Sequence, residues 1–216
     1  MFSKKAETIL NRNQLVSWIP SFLTQTIIDL TGKGIASIDT RTFLGLSHIT
    51  TLKLNINLIR LIDSYVFNDM VNLRELNLNR NSLGFIDPYT FLTLKSLVTL
   101  DLSWNKLTSL ESTTFNTLTS LHTLFLNNNQ LTRIEPSVFS HLTQMAFIHL
   151  NKNNLVAIDR LSFLGLTNLE VVYLKDNPIC STHQSIVLQL CLTNPKCMIC
   201  LFDTCNLKND VNEISH

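Results

Sequence analysis

Leu97-Val98-Thr99-Leu100-Asp101-Leu102-Ser103-Trp104-Asn105-Lys106-Leu107 is the stretch that decides how this chain folds. Its arrangement returns 24 residues later as Leu121-His122-Thr123-Leu124-Phe125-Leu126-Asn127-Asn128-Asn129-Gln130-Leu131. Further copies begin at Ile49, Leu73, Met145 and Leu169, with a weaker one at Gln25. Seven registers therefore follow one another with no insertion between them. Self-similarity at such a period signals a solenoid, whose single repeats cannot bury an apolar face alone.

Each column of the repeat has a physical task. Apolar residues at positions 1, 4, 6 and 11 turn inward around a short strand, and their neighbours alternate outward with period two. Position 9 is Asn57, Asn81, Asn105, Asn129, Asn153 and Asn177. A carboxamide there donates and accepts inside a tight turn, satisfying backbone groups that water does not reach. Its removal leaves a buried polar group unpaired, at about 1–3 kcal/mol. The first copy has Lys33 in this column, which predicts a frayed or solvent-open turn.

Position 14 is Ile38, Ile62, Ile86, Leu110, Ile134 and Ile158, and position 19 is Phe43, Phe67, Phe91, Phe115, Phe139 and Phe163. Six stacked rings would fill the space behind the strands, each contributing about 1.5–3 kcal/mol on burial. Position 15 is acidic in every copy: Asp39, Asp63, Asp87, Glu111, Glu135 and Asp159. A cation ladder is one reading of that column. The stronger reading is capping of short helical turns, because Pro88 and Pro136 directly follow two of the acids.

The pattern LxxLxLxxNxLxxIxxxxFxxL, as in Leu73 to Leu94, resembles the typical 24-residue leucine-rich repeat. Similar repeats occur in Toll-like receptors, Slit proteins, small leucine-rich proteoglycans and variable lymphocyte receptors. The resemblance covers residues 25–180 and implies an α/β solenoid: a horseshoe with short parallel strands on its concave face. Irregular or short helical turns would form the convex face. One such fold serves many partners, so the resemblance specifies architecture far better than ligand. It divides the chain into an N-terminal cap-like segment (1–24), about seven repeats (25–180) and a cysteine-rich C-terminal cap with a polar tail (181–216).

Leu15-Val16-Ser17-Trp18-Ile19-Pro20-Ser21 resembles the end of the family's N-terminal cap, and Asn13 and Leu15 fall at positions 9 and 11 of a shortened repeat. Leu10 stands where the family usually carries a cap cysteine. At the other end, Asn177-Pro178-Ile179-Cys180 resembles the opening of the cysteine-rich C-terminal cap, and Gln184 to Leu192 reads as an amphipathic helix. All five cysteines lie here: Cys180, Cys191, Cys197, Cys200 and Cys205. Family context implies a disulfide-linked cap, with at least one thiol left over from the odd count. Free thiols remain an alternative, as does zinc at Cys197 and Cys200 with His183, although one C-x-x-C is a weak metal signal.

Composition narrows the class further. Hydrophobic residues make up 45% and charged residues 15%, enough for a sizeable core. A net charge of +1 gives no general attraction to nucleic acid or anionic membrane. No run approaches the roughly 18 apolar residues of a membrane span, and the first residues lack the apolar stretch of a secretory signal. The resemblance favours an extracellular or cell-surface setting. The absent signal, the absent sequon and Leu10 speak for the cytoplasm.

Outward positions 2, 3, 5, 7 and 8 form a ribbon across the strands. Its first repeats are polar and mixed in charge (Lys53, Arg74, Glu75, Arg80), whereas the later ones gather Trp104, His122, Phe125, Phe147, His149, Val171 and Tyr173. Solvent-facing aromatics fill no core, so this cluster reads as the anchor set for a protein ligand or receptor. Packing of these residues on each other or beneath the C-terminal cap is the competing reading. No nucleophile elbow, zinc-protease helix or phosphate loop occurs. Glu75 and Asp101 approach on neighbouring strands, but an open wet face does not separate two carboxylate pKa values. The sequence therefore implies a binding module without catalysis or cofactor. A receptor, matrix or immune-type recognition domain is the first expectation, and an intracellular scaffold the second.

Overall fold

The computed structural model of the chain describes residues 8–159, 161–182 and 198–200. In chain order come β1 (Thr8–Leu10), α1 (Arg12–Trp18), β2 (Ile27–Asp29), β3 (Ile35–Ile38), β4 (Thr51–Lys53), β5 (Glu75–Asn77), β6 (Thr99–Asp101) and β7 (Thr123–Phe125). Then follow β8 (Arg133–Ile134), β9 (Phe147–His149), β10 (Ala157–Ile158), β11 (Val171–Tyr173), α2 (Pro178–Thr182) and β12 (Met198–Cys200). Eight strands make one parallel sheet in the order β12-β11-β9-β7-β6-β5-β4-β2. The seven predicted registers each supply one of its strands, and β12 adds another beyond them.

The sheet is in step throughout. Ile28, Leu52, Leu76, Leu100, Leu124, Ile148 and Val172 stand in one paired row, all fully buried. Their neighbours on either side turn outward, so a one-residue slip would exchange core for solvent along the whole sheet. Behind the strands the position 19 rings are buried and stacked: Phe43 on Phe67, then Phe91, Phe115, Phe139 and Phe163 in series. Stacked rings lie 5.8–6.4 Å apart, against about 4.8 Å between paired strands. The back of the array is therefore wider than the front, and the sheet lines the concave side.

The asparagine column joins the repeats. Asn105 Oδ1 accepts from the Leu83 N–H of the preceding repeat at 3.0 Å. Its Nδ2 donates to the Leu78 carbonyl of that repeat and to Leu102 of its own, at 3.0 and 3.1 Å. Asn57, Asn81, Asn129, Asn153 and Asn177 repeat the pattern. Directly before each stands a left-handed residue: Ile56, Arg80, Trp104, Asn128, Lys152 and Asp176, with φ between 54° and 59°. The first five of these N–H groups donate to the position 7 carbonyl of the next repeat, as Trp104 does to Asn127 at 3.0 Å.

Several expectations need correction. The Lys33 turn is not frayed. Gly32 (φ 68°) takes the left-handed place, its N–H donates to Asn55, and the Ile35 N–H reaches Asn57 Oδ1. Asn13 does not build a shortened repeat turn, because it lies inside α1, which Asn11 caps by accepting from the Gln14 N–H. Leu15 is nevertheless in the core. The acids of position 15 cap turns that do not extend into helices: Asp39, Asp87 and Asp159 accept from the N–H two residues on.

The edges are also defined. β1 pairs in parallel with β3, behind the main sheet, and Leu10 at its end is fully buried. This edge is closed by apolar packing, with Thr42 Oγ1 and the Asp39 N–H donating to the Leu10 carbonyl. Val171 to Tyr173 pair with Met198 to Cys200, so the last repeat is covered by a strand. The amphipathic segment expected at Gln184–Leu192 lies outside the described residues.

Candidate functional site

The outward side chains of the later repeats form two short aromatic ladders. Phe125, His149 and Tyr173 occupy register partners on β7, β9 and β11. Their rings stack at 4.4 and 4.3 Å between centroids, with planes 24° and 12° apart. In-register parallel strands repeat each side-chain direction, and flat rings at one column fit that spacing. One column over, His122 meets Phe147 at 5.4 Å. Trp104 stands at the turn rim, 48% exposed, with the Arg80 guanidinium 5.2 Å from its ring centre.

Phe125, Phe147, His149 and Tyr173 are each half-buried, because they shield one another. The rings face outward and also pack on one another. His149 feels this most. Burial between Phe125 and Tyr173 lowers its pKa to about 4, so the imidazole is neutral near physiological pH. His122 is exposed, with Nδ1 beside Thr123 Oγ1 at 3.1 Å. Val171 departs from expectation. It is 6% exposed, enclosed by Phe147 and the backbone of β12, and it supports the margin instead of presenting it.

The remaining candidates separate cleanly. Asn57, Asn81, Asn105, Asn129, Asn153 and Asn177 are buried and occupied by backbone bonds. Cys180 is a free thiol whose Sγ donates to the Leu174 carbonyl at 2.9 Å, and burial pushes its pKa up, keeping it protonated. Cys200 lies in β12, while Cys191, Cys197, Cys205 and His183 fall outside the described residues. Asp101 is engaged by the Ser103 N–H and Oγ at 2.9 and 2.6 Å, away from any carboxylate pairing with Glu75. A cavity of about 530 Å³ lies behind the sheet between Thr108–Ser112 and Thr132–Pro136, where Arg133 and Glu135 pair with each other. Among the described residues no group of His, Cys, Asp and Glu is arranged to hold a metal, and no helix is long and apolar enough to cross a membrane.

Sequence reasoning missed the left-handed column and with it the placement of Ile56 and Arg80 on the rim. The available signal was the residue set Gly32, Asn128 and Asp176 at that position, types that tolerate positive φ.

No curated protein matches the chain by sequence. Among solved structures, that of the TLR13–ssRNA13 complex is similar at a TM-score of 0.69 and 24% identity, over 78% of this chain and 23% of that one. The APL1 leucine-rich-repeat domain is similar at 0.67 and 24% identity, over 91% of this chain and 54% of that one. Toll in the Drosophila Toll–Spatzle complex gives 0.56 and 19%, over 91% of this chain and 33% of that one. At these identities the likeness carries the fold, and the chain spans between about a quarter and about half the length of those structures. The family described as leucine-rich repeat matches residues 26–83, 48–107, 71–128 and 96–155. Its members are in general non-catalytic binding modules, and the fold is typical of protein recognition. With the stacked parallel strands, the asparagine column and the phenylalanine spine in place, this chain belongs to the leucine-rich-repeat family.

Proposed function

We propose that the chain is a non-catalytic recognition module that holds a protein partner against the later half of its concave face. The observation that carries this reading is the Phe125–His149–Tyr173 stack on three adjacent strands. Rings already ordered by stacking lose little freedom when a partner covers them, which favours binding. Trp104, His122 and Phe147 widen the same surface, Val171 braces its margin, and Lys53, Arg74 and Glu75 orient an approaching partner. Residues 1–24 and 181–216 act as caps on the repeats between them.

The extracellular or cell-surface setting is supported by the likeness to Toll in complex with Spatzle and to the LRIM1/APL1C complex. An intracellular adaptor is the second reading, favoured by Leu10 closing the first edge where the family usually carries a cysteine. The TLR13–ssRNA13 complex is a precedent for RNA on this fold. Half-buried rings that already stack on each other offer an apolar protein surface more readily than separate platforms for bases.

The test is parallel capture from secreted, cell-surface and cytosolic fractions with the wild type and with Phe125→Ala/Tyr173→Ala. A protein retained by the wild type and lost by the folded double variant is the expected result, and its fraction decides the compartment. Identical protein retention by both baits, or retention of RNA alone, contradicts the reading.

A further inference from the structure

Beside the aromatic face runs a second surface, which shares only Trp104 with the function above. Positions 7 to 10 of the first six registers form the turn rim, and they contain Lys33, Arg80, Lys106 and Lys152 but no Asp or Glu. All four bases are exposed. The chain as a whole is nearly balanced, with 17 bases against 16 acids, and six of those acids stand in the position 15 column behind the sheet. The rim thus carries four bases and no acid over its first six registers, and Asp176 joins it in the seventh. Among the described residues no carboxylate pairs with Arg80, whose guanidinium rests over Trp104.

The same rim presents apolar side chains to water. Ile56, Leu58 and Trp104 are 53%, 37% and 48% exposed. Two of them are conformationally unfavourable where they stand. Ile56 has φ 58° and Trp104 φ 55°, in a column where Gly32, Asn128 and Asp176 sit more easily. A β-branched residue at positive φ is an outlier, and it persists only where the surroundings enforce it. Here the asparagine ladder and the position 8 N–H bonds enforce it. The sequence therefore places large exposed apolar groups between bases at a cost in local stability.

We infer that the rim formed by Ile56, Leu58, Arg80, Trp104 and Lys106 is a second docking surface, which receives an acidic, apolar-bearing segment of a protein. The charge selects carboxylates, and the Arg80 guanidinium, 5.2 Å from the Trp104 ring centre, offers one a bidentate partner. Ile56 and Leu58 select a protein over a nucleic acid, since a phosphate backbone offers nothing to two aliphatic side chains. This surface stands whether or not the aromatic stack binds a partner.

Fluorescence anisotropy with the full chain tests it, using a labelled flexible peptide of Glu, Leu and Gly. A counterpart with Lys for Glu and an oligouridylate serve as competing probes. The acidic peptide is expected to bind, to weaken with added salt, and to lose about tenfold in affinity with Arg80→Glu/Lys106→Glu. Ile56→Asn is expected to weaken it as well while raising the melting temperature by about 2–4 °C, because Asn tolerates this backbone. No binding of the acidic peptide below about 1 mM, equal or tighter binding of either other probe, or unchanged affinity in either variant overturns the inference. So does a loss caused by Tyr173→Ala alone, which would move the contact to the sheet face.

Discussion

The imidazole of His149 lies 4.3 Å from the Tyr173 ring with the planes 12° apart, and Phe125 covers its other side at 4.4 Å. Burial there lowers the histidine pKa from 6.5 to about 4. The unfolded chain therefore binds a proton at a pH where the folded one does not, and stability falls as pH drops from about 6.5 toward 4. The exposed edge of the ring screens the effect to about 1–2 kcal/mol. Urea unfolding across that window should show the loss, and His149→Phe should remove this contribution. An identical pH profile in the variant would place the titration elsewhere.

The asparagine column predicts a different kind of loss. Asn105→Ala strands the Leu83 N–H and the Leu78 and Leu102 carbonyls together. It should cost about 1–3 kcal/mol for the unpaired groups. Amide hydrogen exchange should accelerate on both sides of the turn, at Leu83 as well as at Asn105's own repeat. Acceleration confined to one repeat would mean that the column does not join neighbours.

Phe115 stacks on Phe91 and Phe139 at 6.4 and 6.3 Å and is fully buried. Phe115→Ala should cost about 3–5 kcal/mol. An unchanged melting temperature would refute the phenylalanine spine.

Tyr173→Ala removes a half-buried ring that stacks on His149. Its stability cost should be about 0.5–1.5 kcal/mol, well below that of Phe115→Ala. A loss as large as that of Phe115→Ala would make the outward ladder a structural element.

Strands, turn asparagines and spine were legible because every repeat states the same constraint again. A column such as Phe43 to Phe163 admits one geometry only. The left-handed rim was not legible, because Ile56, Arg80 and Trp104 do not prefer positive φ, and bonds from the next repeat impose it. Asn13 was read as a repeat asparagine from spacing alone, although Asn11 caps a helix across it. Val171 alternates outward as expected, yet pairing with a strand 27 residues further on encloses it, and no local pattern announces that partner. The aromatic cluster was visible as composition. Its self-stacking was visible only once the strands were in register.

The most direct test of recognition through the concave ladder is site-specific photocrosslinking. Benzoylphenylalanine is placed at Phe125, on the sheet face, or at Tyr89, exposed on the opposite side. Both proteins are irradiated in the fraction that supplies the captured partner. Adducts from position 125 and none from position 89 are the predicted result. Adducts from position 89 with none from 125 would contradict the account and move recognition to the convex side.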